Sequence, residues 1–258
     1  MKFARFQYDN DIRYGVVTND DVSVIDGDLF GEWTYTGEVL PLNQIKLLAP
    51  VEPKKIIGIG ANYVGSEEER PDQLPEIPVF FFKPESSIIG PEADIEIPEA
   101  IDEVKFESEL AVVVGKEMKN VEEEDVLDHI FGYTIGNDVT APQFFQEDGH
   151  WTLGKAFDTF TPVGPVIETE LDPSEAVVKA DINGVEKQNS PTQLMIVSLK
   201  HMVSYLSKVM TLQPGDIILT GSPLGAHFVK KGDVIECRID EIGVLKNKTV
   251  KASVSIQS

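Results

Sequence analysis

The segment DEVKFESELAVVVG, residues 102–115, sets two glutamates directly before an unbroken apolar, β-branched run. Such a run reads as a buried strand, and a buried strand obliges the rest of the chain to build layers over it. In a strand successive side chains alternate faces, so Glu107 and Glu109 point the same way, roughly 7 Å apart along the chain. Two carboxylates entering an apolar layer together repel, and burial costs several kcal/mol per ion unless a counter-charge is present. The pair is therefore either solvated or held around something cationic. Spacing alone is weak evidence, because 44 of 258 residues are acidic and the same spacing recurs at Glu67/Glu69 and Glu122/Glu124. The adjoining LAVVVG distinguishes this pair.

Most of the remaining sequence also reads as strands. KFARFQY, IRYGVVT and VSVIDG are separated by Asp/Asn clusters that signal hairpins. Residues 1–50 thus form a small β-rich domain, and the Pro-containing stretch before IIGIG opens a second unit, 51–258. Two helices are expected there. One is a short VEEEDVLDHI helix with Asn120 as N-cap and Glu123 as capping glutamate. The other is SLKHMVSYLSKVMTL, where Leu199, Met202, Val203, Leu206, Val209 and Met210 recur at helical spacing as core residues. Asn183-Gly184 marks a two-residue hairpin, and GDVIECRIDEIGVLKNKTVKASVSI continues as strands to the C-terminal end. Strands do not alternate strictly with helices, which favours a mostly β catalytic domain over a doubly wound one.

Composition excludes several roles. A formal net charge of −22 opposes nucleic acid or anionic membrane surfaces as partners. It also suits a salt-rich cytoplasm, although 18 of the 22 basic residues are Lys. The single cysteine, Cys237, forms no intrachain disulfide, and no Cys/His cluster suggests zinc. No apolar stretch approaches the roughly 18 residues of a membrane span, and the N-terminus lacks a signal-peptide core. A soluble cytoplasmic protein is expected.

GIGANYVG has Tyr63 where a dinucleotide fingerprint needs glycine. LTGSPLG has Thr220 where a nucleophile elbow needs glycine, so Ser222 is not read as a nucleophile. His129 and His201 lie on expected helices as surface or packing residues, while His150 in GHWTLGK is a candidate for the site. Asp138, in GYTIGNDVT, ends a second β-branched run. If its strand lies beside the first, three carboxylates gather and suit a hard divalent cation such as Mg²⁺ or Mn²⁺.

The ordered set NYVGSEEE, PVFFFKPESSIIGP, FESELAVVVGK, GYTIGNDVT, WTLGKAFDTFTPVGP and GDIILTGSPLG, over about residues 51–250, resembles the fumarylacetoacetate hydrolase family. The resemblance implies a mostly β (α+β) fold, a mixed β-sandwich roll with a few short helices, preceded by the small N-terminal domain that many members carry. It implies a homodimer, and one divalent ion (Mg²⁺ or Mn²⁺, with Ca²⁺ as a further option) on Glu107, Glu109 and Asp138. It also implies an active-site lysine at Lys155, a substrate-binding loop at Thr220, Gly221 and Ser222, and a supporting lysine at Lys83.

Two departures bear on activity. The lid pattern NYxxHxxE keeps its glutamate as Glu69 but has Ser66 in place of histidine. The pattern DVTAR becomes DVTAP, placing Pro142 at the arginine position with Gln143 beyond. The activity the resemblance implies is C–C hydrolysis of a small enolisable 2-oxo acid or 1,3-dicarbonyl compound. Losing the lid base favours the alternative of isomerisation or tautomerisation, with Lys155 or Glu69 moving the proton. Decarboxylation, dehydration and a non-catalytic metal-binding module are the further alternatives.

Overall fold

The computed structural model describes residues 1–146 and 150–252. Ten strands form the main path of a twelve-stranded sheet. Trp33–Pro41, Asp21–Gly27, Asp11–Thr18 and Lys2–Tyr8 lead into Thr161–Glu168, Ile130–Asn137 and Ser108–Val114. Ile217–Leu219, Ile56–Ile59 and Phe80–Lys83 complete the path. A five-stranded sheet, ordered Val185–Pro191, Val177–Ile182, Val234–Ile239, Gly243–Lys251 and Asp94–Ile97, packs against it. This is the mixed β-sandwich expected. The first four strands are not set apart, since Lys2–Tyr8 pairs antiparallel with Thr161–Glu168 and extends the catalytic sheet.

The run LAVVV is apolar at every position because both faces of its strand are covered. Leu110, Val112 and Val114 join the core between the sheets with Ile135, Val178, Ala180 and Cys237. Ala111 and Val113 face the other way, into a second core closed by Phe3, Leu29, Phe30 and Trp33 from the N-terminal strands and their connecting loop. The early residues therefore act as a lid over the sheet's far side. Asn183 and Gly184 both have positive φ (51° and 77°), as a tight two-residue hairpin with Ile182 opposite Val185 requires.

The long helix spans Leu199–Val209, and the Ser198 side chain accepts from the His201 N–H. Met202, Val203 and Leu206 are buried as expected, but Val209, on the last turn, is 49% exposed. The VEEEDVLDHI segment is a 3₁₀ helix, Glu123–His129, and its N-cap is Glu122. Asn120 instead takes a left-handed turn, φ 54°, where an N-cap needs extended backbone, and stands two residues before the cap; its N–H donates to Ser207 O. The last strand runs to Lys251; the expected continuation through Ile256 lies outside the described residues. No helix among them is long and apolar enough to cross a membrane.

Leu110 is fully buried beside Glu109. Leu110→Ala should cost about 2–5 kcal/mol, read as a lower urea midpoint at an unchanged slope; an unmoved midpoint contradicts this account of the core.

Candidate active site

Antiparallel pairing of Ser108–Val114 with Ile130–Asn137 sets Ser108 opposite Asn137 and Glu109 opposite Gly136. The register continues past the strand ends. The Asp138 N–H donates to Glu107 O at 2.9 Å, and the Asn137 side-chain oxygen accepts from the Glu107 N–H at 2.9 Å. Asp138 thereby emerges next to the glutamate pair. One carboxylate oxygen from each of Glu107, Glu109 and Asp138 lies within 4.8 Å of the other two.

The third neighbour in the sheet, Ile217–Leu219, pairs with Ala111–Val113 and delivers the Thr220–Ser222 loop to the same place. The Gly221 N–H donates to Glu109 Oε2 at 2.6 Å. Gly221 has φ 98°, and a Cβ there would stand 2.7 Å from the Asn62 Cβ, so glycine permits both the turn and the close approach. Asn62 donates through Nδ2 to Thr220 O at 2.8 Å and accepts from the Val197 N–H, which ties the two loops together.

Two buried lysines compensate the acids. Lys83 donates to Asp138 Oδ1 at 2.6 Å and to Val139 O at 3.2 Å. Lys155, on the one-turn helix Thr152–Lys155, donates to Glu107 Oε2 at 2.8 Å and to Asp138 Oδ2. Gly154 lets that helix approach, since a Cβ there would sit 2.5 Å from Ala141 O.

Burial pushes the Asp138 carboxyl up, but the ammoniums of Lys155 and Lys83 outweigh it and hold Asp138 below its usual range. Burial likewise favours neutral Lys155, yet Asp138 and Glu107 keep its pKa above the ordinary lysine value. For Lys83 burial prevails over Asp138 and the pKa falls. Glu109, without a lysine of its own, is driven well above its ordinary value by burial and then by Asp138 and Glu107.

Glu107, Glu109, Asp138 and Lys155 line a cavity of about 470 Å³. Phe81 and Trp151 wall it, with Phe145 stacked on Trp151 and the Lys155 ammonium 4.7 Å from the Phe81 ring centroid. The glycines of GIGANYVG seat these rings, Gly58 under Phe81 and Gly60 under Trp151, which is why the segment resembles a nucleotide loop without being one. Tyr63 lines the cavity, while its hydroxyl is buried away from solvent with no hydrogen-bond partner among the described residues, and burial pushes its pKa up.

Of the residues named from sequence, Glu107, Glu109, Asp138, Lys155, Ser222 and Pro142 line the cavity. Lys83 stands behind Asp138, and the Thr220 hydroxyl donates to Leu110 O at 2.9 Å, so both act from the second layer. Glu69 is exposed and accepts from the Gly65 N–H at 2.9 Å, and neither it nor Ser66 lines the cavity. His150 is exposed and outside the lining, although its neighbour Trp151 is part of it. Gln143 donates to Glu103 O, away from the cavity.

Sequence reasoning missed Lys105, Asn62, Tyr63 and Gln188. Gln188 donates to Ser222 Oγ at 2.8 Å and to Pro223 O at 2.7 Å, fixing the loop that bears Ser222. Only Lys105 had a local signal, being two residues before Glu107 in the same alternation.

The all-oxygen donor set fits a hard divalent cation. Glu107, Glu109 and Asp138 would hold it, and the uncompensated Glu109 is the group that most needs it.

Comparison with known proteins agrees with this architecture. The family model for the fumarylacetoacetate (FAA) hydrolase C-terminal domain matches residues 55–250, and the Rv2993c-like N-terminal model matches residues 1–50. The mitochondrial oxaloacetate tautomerase fahd2 of Xenopus laevis is 43% identical over 225 residues, covering 82% of this chain and 70% of that protein. The crystal structure of 2-hydroxyhepta-2,4-diene-1,7-dioate isomerase from Mycobacterium marinum superposes with a TM-score of 0.91 at 36% identity, over 98% of this chain and all of that one. Maleylpyruvate hydrolase from Sphingobium sp. SYK-6, solved with manganese(II) and pyruvate, superposes with a TM-score of 0.81 at 32% identity over the same shares.

Two outcomes test the carboxylate cluster. Glu109→Gln should weaken Mn²⁺ binding by more than about 100-fold, beyond the loss typical of an outer-shell change; wild-type affinity by calorimetry contradicts the assignment. Because the raised Glu109 carboxyl must shed its proton to ligate, Mn²⁺ affinity should still climb with pH above the ordinary carboxylate range, about tenfold per unit for one proton released. It should level off only above the raised value, and an affinity already flat just above the ordinary carboxylate range contradicts the shift.

Proposed function

The chain belongs to the fumarylacetoacetate hydrolase family, and from that premise we propose that it is a Mg²⁺- or Mn²⁺-dependent tautomerase or isomerase of a small enolisable 2-oxo acid. The observation carrying this reading is the absence of a histidine among the described residues lining the cavity. Hydrolytic C–C cleavage needs a base to activate water, and a positioned base is commonly worth about 10² to 10⁴ in rate. Keto–enol exchange needs no activated water, only a proton lost from one of carbon and oxygen and one returned to the other. The similarity to an oxaloacetate tautomerase and to a dienoate isomerase supports the same side. Hydrolysis, which the family resemblance favours on sequence alone, becomes the second reading, supported by the similarity to a maleylpyruvate hydrolase.

A divalent cation on the three carboxylates would supply Lewis-acid polarisation of the two oxygens of a 2-oxo acid. The chain's own groups do the rest. Lys155, kept charged by Glu107 and Asp138, is the proton donor in the enol-to-keto direction: the enol hydroxyl gives its proton to solvent, the ammonium protonates the enolate carbon, and a solvent proton restores the ammonium. Phe81, Phe145 and Trp151 keep the reacting carbon away from bulk water, which favours returning a proton over adding a hydroxyl. Gly221, held against Glu109, places Ser222 where a substrate carboxylate meets the loop.

A homodimer is part of the proposal. Leu74, Ile77, Val79 and Phe82 are exposed around the sheet-edge strand Phe80–Lys83, the kind of edge that a second copy covers.

With Mg²⁺ or Mn²⁺, the protein should accelerate loss of the oxaloacetate enol absorbance without forming pyruvate or CO₂. Acylpyruvate hydrolysis should run at least about 100-fold slower. Pyruvate plus a free acid from an acylpyruvate at a comparable rate would overturn the tautomerase reading in favour of hydrolysis.

A further inference from the structure

Alternation along residues 103–109 puts Lys105, Glu107 and Glu109 in one row, with Val104, Phe106 and Ser108 fully buried on the opposite face. Lys105 and Thr140 form an antiparallel bridge, with hydrogen bonds of 2.7 and 2.9 Å exchanged between their backbones. Directly opposed residues share a face, and Lys105 and Thr140 both line the cavity, as does Pro142.

The three lysines at the site differ in what they are free to do. The side chains of Lys83 and Lys155 are 0% and 6% exposed and committed to Asp138. The Lys105 side chain is 33% exposed at the cavity, and among the described residues its ammonium meets one acceptor, Glu107 Oε1 at 2.9 Å. An ammonium has three donors. Two are therefore left for a ligand.

Charge balance points the same way. With the three carboxylates ionised, as ligation requires, the three ammoniums of Lys83, Lys105 and Lys155 cancel them. A divalent cation then leaves the site doubly positive, and no other charged side chain lines the cavity among the described residues. A dianion neutralises that charge, whereas a monoanion leaves half of it buried and unpaired.

We propose that Lys105 receives the second, distal carboxylate of a dicarboxylic 2-oxo acid and so selects dianionic over monoanionic substrates. The proposal deepens, and rests on, the reading of the cavity as a metal-assisted 2-oxo acid site. The α-keto acid end lies at the carboxylate cluster, and the distal carboxylate takes charge-assisted hydrogen bonds from the Lys105 ammonium. Lys105 is thus a specificity residue that touches substrate without taking part in proton transfer.

The test compares binding of oxaloacetate with that of 2-oxobutanoate, equal in length but with a methyl in place of the distal carboxylate. Calorimetry on the full-length, Mg²⁺-loaded protein gives both affinities for wild type, Lys105→Gln and Lys105→Arg. Taking their ratio cancels any change in metal affinity caused by altering the partner of Glu107. Wild type should prefer oxaloacetate by about tenfold or more, the strength of one hydrogen bond to a charged group. Lys105→Gln should remove most of that preference, and Lys105→Arg should restore it.

A preference that survives Lys105→Gln, or that wild type lacks, overturns the proposal. The two readings separate cleanly. Oxaloacetate tautomerised with a preference indifferent to Lys105→Gln refutes the role of Lys105 alone. A preference that behaves as stated in a protein that does not tautomerise oxaloacetate refutes the activity alone, and failure of both ligands to bind refutes both.

Discussion

Three carboxylates packed within 4.8 Å of one another, two of them almost wholly buried, are the constraint the rest of the site answers. Left alone, such a cluster would cost on the order of the whole marginal stability of a domain. Lys83 and Lys155 offset Asp138 and Glu107, and the Gly221 N–H offsets part of Glu109. The remaining imbalance falls on Glu109, whose raised pKa records it. A divalent cation gives Glu109 the direct partner that no lysine gives it, so the arrangement that is strained as a piece of folded protein is apt as a binding site.

The sandwich makes this arrangement possible by register rather than by local sequence. Ser108–Val114 is flanked on one side by Ile130–Asn137 and on the other by Ile217–Leu219. The ends of these neighbours therefore carry Asp138 and the Thr220–Ser222 loop to the glutamates from opposite sides. Covering both faces of the central strand needs two cores, one shared with the five-stranded sheet and one closed by the N-terminal strands. The stability of the early segment and the geometry of the site are in this way parts of a single packing problem.

What was legible in the sequence follows the range of the physics. Glu107 and Glu109 share a face by simple alternation, the Asn183-Gly184 turn carries its own backbone signature, and the long helix announces itself by apolar spacing. Asp138 could be placed only conditionally, because strand adjacency is a tertiary property, and only the ordered family motifs supplied it. Asn62 and Gln188 were missed for the same reason: each acts by hydrogen bonds to loops more than thirty residues away along the chain. Lys105 was overlooked although it belongs to the same alternating row as the two glutamates. The Asn120 cap failed because an Asn suited to capping is equally suited to a left-handed turn, and the hydrogen bond to Ser207 O selects the turn.

The site's central claim is that the acid cluster exists to hold a divalent cation. Anomalous scattering at the manganese edge from crystals grown with Mn²⁺ tests this most directly. The account predicts one strong peak per chain, within about 2.0–2.4 Å of oxygens from Glu107, Glu109 and Asp138. A cluster that keeps only its lysines, with no peak among the three carboxylates at saturating Mn²⁺, would contradict it.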